Sequence, residues 1–220
     1  MTPRPLIVFD LDGTLVDSQR DLAAAANALI VERGGQPQDE AAIARMIGEG
    51  AALLVKRALT AAGLELDAGS LPRFLELYDE RLLETTVAYP GIPDALRLLS
   101  SRGPVAVLTN KPLEHTRRIL KGLELAHFFD HVLGGDGPLR RKPDPAGLRH
   151  LMNVHRAEPR ATVLVGDSPV DAATAASAGA AFCLARYGFG ARKFEAGVVP
   201  AAGVETPADI PAAISRLLSR

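Results

Sequence analysis

Four short stretches hold residues that could do chemistry together. Asp10 and Asp12 stand two apart in "IVFDLDGTLVDS" (7–18), directly after a short apolar run. Thr109 and Asn110 follow the run "VAVL", Lys142 sits in "RRKPDP", and Asp167 and Asp171 are four apart in "VGDSPVDAATAASAG". Neighbouring carboxylates raise each other's pKa unless a cation or a proton separates them, so a purely structural role does not favour Asp10 beside Asp12. Each of the other stretches has a blander reading when taken alone. Thr109-Asn110 could cap a helix, Lys142 could belong to a solvated basic loop with Arg140 and Arg141, and Asp167 could serve a tight turn. Asp171 could sit in the first turn of a helix starting near Pro169, where a carboxylate suits the helix dipole. What the stretches share is position: each polar group lies just past an apolar run.

Those runs are the elements that must position them. "LIVF" (6–9), "VAVL" (105–108), "HVL" (131–133), "TVLV" (162–165) and "AFCLA" (181–185) are short and β-branched or apolar. They are continuous rather than alternating, as expected for strands covered on both faces. From the second onward, helix-like segments separate them. The pattern predicts an α/β fold, a Rossmann-like parallel-sheet core, and open α/β sheets bind ligands beyond the carboxyl ends of their strands.

Between the first and second runs, residues 18–84 hold no strand signal. Ser18 and Asp21 have capping-box spacing, with Asp in place of Glu or Gln. Leu22, Ala25, Ala26, Leu29 and Ile30 then make one apolar face, and Gly34-Gly35 end it. Further helices are predicted over 39–46, 51–62 and 71–84. The chain therefore reads as an α/β core of residues 1–16 and 85–220 with an inserted all-helical cap domain of residues 17–84, and "YPG" (89–91) marks the return to the core.

Composition narrows the function classes. The 220 residues carry a formal net charge of −1 with no basic block, which argues against nucleic acid or an anionic membrane as partner. No apolar run reaches transmembrane length, and no secretory leader is read before Asp10. The single cysteine, Cys183, excludes an intramolecular disulfide, fits a reducing compartment and reads as a small buried hydrophobe. These features predict a cytoplasmic protein; a monomer or homodimer is expected, with the sequence not deciding between them.

Taken in order, "DLDGTLVDS", "LTNKP", "RRKPDP" and "VGDSPVDAATAASAG" resemble the four signatures of the haloacid-dehalogenase superfamily of phosphohydrolases. The resemblance covers nearly the whole chain, and the helical insert is similar to that superfamily's four-helix cap. "TNKP", "YPG" and "GGD…KPDP" look most like phosphoglycolate phosphatases. The resemblance implies a Mg²⁺-dependent phosphatase acting on a small phosphate ester. Asp10 would be the nucleophile, Asp12 the general acid and base, and Thr109 and Lys142 would hold the phosphoryl oxygens, with Asn110 beside them. It implies Mg²⁺ on Asp10, the backbone carbonyl of Asp12 and Asp167, with Asp171 at or near the ion. An acid at Asp12 disfavours a dehalogenase. Physical chemistry agrees with this division of labour. Acid–base help contributes only about 10²–10⁴-fold, far short of the ~10²¹-fold that phosphate-monoester hydrolysis can require, so electrostatics, positioning and a covalent intermediate must supply the rest.

Substrate choice is expected to lie in the cap. "RMIGEGAALLVKR" (45–57) resembles the family's cap substrate loop, with Gly48 and Gly50 for close backbone approach and Arg45 and Lys56 as candidate partners for a substrate carboxylate. A solvated helix face and a glycine-marked helix break account for the same residues. Two further readings stand beside phosphoglycolate phosphatase: a sugar-phosphate phosphatase or phosphomutase on the same core, and a non-catalytic phosphate-binding protein. The intact set of Asp10, Asp12, Lys142 and Asp167 weighs against the last.

Overall fold

The computed structural model describes residues 5–194 and 200–219. Residues 1–4, part of the stretch in which no leader is read, lie outside the described residues. So do 195–199 and 220, which the reading above assigns to the core.

Strands β1 (Leu6–Phe9), β4 (Val105–Leu108), β5 (His131–Leu133), β6 (Thr162–Gly166), β7 (Ala181–Ala185) and β8 (Ala202–Val204) form one parallel sheet in the order β5-β4-β1-β6-β7-β8. β1 lies inside it, with Val8 opposite Ala106 on one side and Leu164 on the other. Its residues alternate between two cores. Leu6 and Val8 pack with Leu148, Leu151 and Leu164 on one face, while Ile7 and Phe9 join Leu96, Leu99 and Ile214 on the other. Burial on both faces is the physical reason the run is uninterrupted. Helices α7 (Ala146–His155) and α8 (Pro169–Ala178) supply the first layer, and α5 (Ile92–Ser100) and α9 (Ile210–Leu218) the second. The chain places β4 and β5 to one side of β1 and then crosses back to β6 on the other. That reversal opens a crevice at the carboxyl ends of β1, β4 and β6.

The five strands expected from the apolar runs are present. Three were not expected: β8 and the two-residue strands β2 (Val16–Asp17) and β3 (Val87–Ala88). β2 and β3 are too short to show a period. They pair antiparallel where the chain leaves the sheet layer and where it returns. Between them run α1 (Gln19–Glu32), α2 (Glu40–Ala44), α3 (Ala51–Ala61) and α4 (Ser70–Asp79), with α1 packed against the other three. Leu29, Ile30, Leu59 and Phe74 are buried among them. The helix predicted over 71–84 ends at Asp79. Beyond it, Arg81 and Glu84 donate to carbonyls only three residues back, and the Arg81 guanidinium takes the Leu77 carbonyl.

The expected Ser18–Asp21 capping box does not form. The Ser18 hydroxyl instead donates to Asp12 Oδ1. Asp21, 2% exposed, accepts from the backbone N–H and hydroxyl groups of both Thr85 and Thr86. One buried carboxylate thus ties the chain leaving the sheet layer to the chain returning 64 residues later. Charge-assisted bonds to a partner far along the chain compete well with a local cap worth about 1 kcal/mol.

Candidate active site

The strand ends deliver the polar residues to one place. Asp10 follows β1, Thr109 and Asn110 follow β4, and Asp167 follows β6, all buried to 5% exposure or less. Lys142 arrives on the loop before α7 and is also 5% exposed, so the solvated-loop reading of it is overturned. Its ammonium lies 2.8 Å from Asp10 Oδ1 and donates to Asp171 Oδ1 at 2.6 Å. α6 (Leu113–Gly122) starts after an N-cap at Pro112, so Thr109 and Asn110 do not cap it.

Asp171 serves two purposes at once. Its Oδ2 accepts from the backbone N–H and hydroxyl of Ser168 in a capping box at the start of α8, which leaves Oδ1 for Lys142. Asp167 is held from behind: Gly190 N–H donates to its Oδ2 at 2.7 Å. Gly13 passes so close that a Cβ there would stand 1.9 Å from Asp167 Oδ2, and its φ of +83° disfavours any other residue. The "GFG" at 188–190 and Gly13 are therefore part of the site's frame. Their signal in the sequence was no more than glycine.

Carboxylate oxygens of Asp10, Asp167 and Asp171 lie within 4.8 Å of one another. Burial, then the neighbouring carboxylates, push Asp10 up to about 7 even with Lys142 pulling it down, and the same causes raise Asp167 well above the ordinary carboxylate range. For Lys142, burial opposes the charge, but Asp10 and Asp171 outweigh it and hold the ammonium protonated. Asp12 turns away from this cluster. Its two oxygens each accept from Lys111 Nζ at 3.0 Å, and Oδ1 also accepts from Ser18. When all four are ionised, four carboxylates against two ammonium groups leave two uncompensated negative charges in a buried space, which is what raises Asp10 and Asp167 after burial itself. Three convergent hard oxygens and that charge deficit fit a divalent cation of the oxygen-preferring kind.

A cavity opens above the cluster. Asp10, Asp12, Thr109, Asn110 and Lys111 line it from the sheet side, and Gly48, Gly50, Leu54, Phe74 and Tyr78 are among those lining it from the helical side. Gly48 and Gly50 have φ of +115° and +94°, and Asn110 Nδ2 donates to the Gly48 carbonyl at 3.3 Å. Arg45 and Lys56 are exposed and do not line this cavity, so the structure does not bring them to the site. Lys111 was missed, although it follows Thr109 and Asn110 directly in "LTNKP". Cys183 is buried in β7 and its thiol is pushed up to about 12 by burial, as a small hydrophobe's would be.

A family model for haloacid dehalogenase-like hydrolases matches residues 5–179. A phosphoglycolate phosphatase of Rhodospirillum rubrum is 43% identical over 192 residues, covering 83% of this chain and 80% of that protein. One from Cereibacter sphaeroides is 43% identical over 190 residues, covering 84% and 86%. Among solved structures, one described as a predicted phosphoglycolate phosphatase from Haemophilus somnus superposes with a TM-score of 0.86 at 32% identity, covering 96% of this chain and 98% of that one. With the buried aspartate cluster at the carboxyl ends of a parallel sheet, these matches show that the chain belongs to the haloacid dehalogenase-like hydrolase family.

Proposed function

We propose that the protein is a Mg²⁺-dependent phosphatase that hydrolyses 2-phosphoglycolate through a phosphoaspartyl intermediate on Asp10. The observation that carries this is the cluster of Asp10, Asp167 and Asp171 around Lys142, with Asp12 two residues from the nucleophile and free of the cluster. Relatives at 43% identity named phosphoglycolate phosphatase support the substrate.

Asp10, Asp167, Asp171 and the Asp12 carbonyl would hold Mg²⁺, which supplies charge neutralisation for the phosphoryl oxygens. A carboxylate oxygen of Asp10 attacks phosphorus, and the phosphorus–oxygen bond to glycolate breaks. Asp12 gives its proton to the departing oxygen. Lys142 and Thr109 hold phosphoryl oxygens, and Lys142 moderates the charge of Asp10 while it waits. Water then attacks the acyl phosphate, Asp12 takes the proton, and phosphate leaves with Asp10 restored. Residues 1–16 and 85–220 act as the catalytic core in this reading. Residues 17–84 act as a cap that closes on the substrate and excludes water. The free, buried cysteine supports a cytoplasmic setting. Among the described residues no helix is long and apolar enough to cross a membrane.

A panel of phosphate monoesters, assayed with the purified protein and Mg²⁺, tests the reading. The highest kcat/KM is expected for 2-phosphoglycolate. A preference for a hexose phosphate would overturn the substrate and leave the core chemistry standing.

A further inference from the structure

The cavity has one cation among the described residues that line it, Lys111. Its side chain is 3% exposed, and the ammonium lies 3.0 Å from the carboxylate of Asp12 and 4.6 Å from the centre of the Tyr78 ring. Tyr78 comes from α4 on the opposite wall and is 2% exposed. Its hydroxyl is buried without a hydrogen-bond partner among the described residues. Leaving a buried donor unmade is costly, so a partner is expected when the site is filled. Leu22, Ile47, Leu54 and Phe74 add apolar side chains to the wall, and Gly48 and Gly50 line it with backbone and no further charged side chain.

We infer that Lys111 Nζ and the Tyr78 hydroxyl together form a subsite for a carboxylate on the substrate. This deepens the reading of the site as a phosphatase for 2-phosphoglycolate and rests on it. The order of groups in space follows the order of atoms in such an ester. Phosphorus belongs at Asp10, and the ester oxygen belongs at Asp12, which protonates it. A carboxylate on the adjoining carbon must then fall within a few bond lengths of Asp12, where Lys111 already stands. An ammonium has three N–H donors, so it can keep Asp12 and still bind a second carboxylate. The phenol adds a neutral donor, and the apolar wall strengthens both contacts by excluding water. Lys111 belongs to the sheet side and Tyr78 to the helical insert. The subsite is therefore complete only when the insert is closed, and binding the carboxylate favours that state.

The test compares two substrates on each enzyme: 2-phosphoglycolate and ethyl phosphate, which carries a methyl group where the carboxylate would be. Lys111→Met should reduce the preference for 2-phosphoglycolate, as the ratio of kcat/KM values, by about 10- to 100-fold. Tyr78→Phe should reduce it in the same direction by about 3- to 10-fold. Lys111→Arg, which keeps the charge, should retain more of the preference than Lys111→Met. Calorimetric titration in an Asp10→Asn background gives binding without turnover, and Lys111→Met should weaken binding of 2-phosphoglycolate more than of ethyl phosphate. If Lys111 only positions Asp12, both substrates lose equally and the ratio stays put, which overturns the subsite alone. Wild-type enzyme with no preference for 2-phosphoglycolate overturns the substrate reading and the subsite with it. Should Lys111→Met fail to fold, Tyr78→Phe and Lys111→Arg decide the matter by the same ratio.

Discussion

From the sheet side, the cavity is lined by Asp10, Asp12, Thr109, Asn110 and Lys111. From the helical insert it is lined mainly by Leu22, Ile47, Leu54, Phe74 and Tyr78. The sheet-side groups are tied before any ligand arrives: Asp10 by Lys142 and the Leu11 N–H, Asp12 by Lys111 and Ser18, Asp167 by Gly190. The insert side makes few such ties. Its contacts across the gap include single bonds to backbone carbonyls, Asn110 to Gly48 and Lys193 to Ile47, and away from the cavity the ion pair of Arg118 with Asp79. Preorganised charge costs little reorganisation during a reaction, whereas an apolar wall that can open and close controls water and entry. On the proposed reading, the chemistry is built into one region and the selectivity is divided between two.

The sharpest way to break this contrast is to remove the proposed nucleophile. Asp10→Asn should stay folded yet lose kcat by on the order of 10⁴-fold or more. Circular dichroism and steady-state kinetics check both halves, and substantial residual turnover would move the chemistry elsewhere. Asp12→Ala should cost alkyl phosphates about 10²–10⁴-fold and activated aryl phosphates markedly less, because their leaving groups need little protonation. Equal losses for both ester types would remove Asp12 as the acid.

The strain of the preformed wall should also be visible in metal-free protein. Asp10 has a folded pKa of about 7, raised by burial and its acidic neighbours from an ordinary 3.8. Between those values the folded chain binds a proton that the unfolded chain has released, so this group lowers stability as pH rises through that window. In chelator, the melting temperature of the wild type should fall relative to Asp10→Asn from about pH 4 to pH 7. A divalent cation should restore it at neutral pH. Parallel pH profiles for the two proteins would contradict the repulsion. The smallest effect belongs to the rim: Arg45→Ala and Lys56→Ala should each leave the preference for 2-phosphoglycolate over ethyl phosphate within about twofold, as for surface groups away from a site. A larger change in either would place that side chain in the closed complex.

Asp10, Thr109, Asn110 and Asp167 were legible because each follows an apolar run directly. Where a strand ends is a local property of the chain, and strand ends on one side of a parallel sheet converge. The helical nature of residues 19–79 was legible for a similar reason, since apolar spacing at three and four residues is local too. Arg45 and Lys56 were plausible partners by charge and by place in the loop, but charge says nothing about which way a helix face turns. Asp21 looked like a local cap and became a tie to Thr85 and Thr86.

The sequence by itself determined five of the strands and which acids follow their carboxyl ends, because those follow from local periodicity, while the metal role of Asp10, Asp167 and Asp171 came from the family resemblance. Only the tertiary structure decided what each acid holds. Asp12 meets Lys111 across 99 residues, and Asp21 meets Thr85 across 64. Such pairings depend on how the chain returns to itself, and a buried charge takes whichever partner the packing brings within hydrogen-bonding distance.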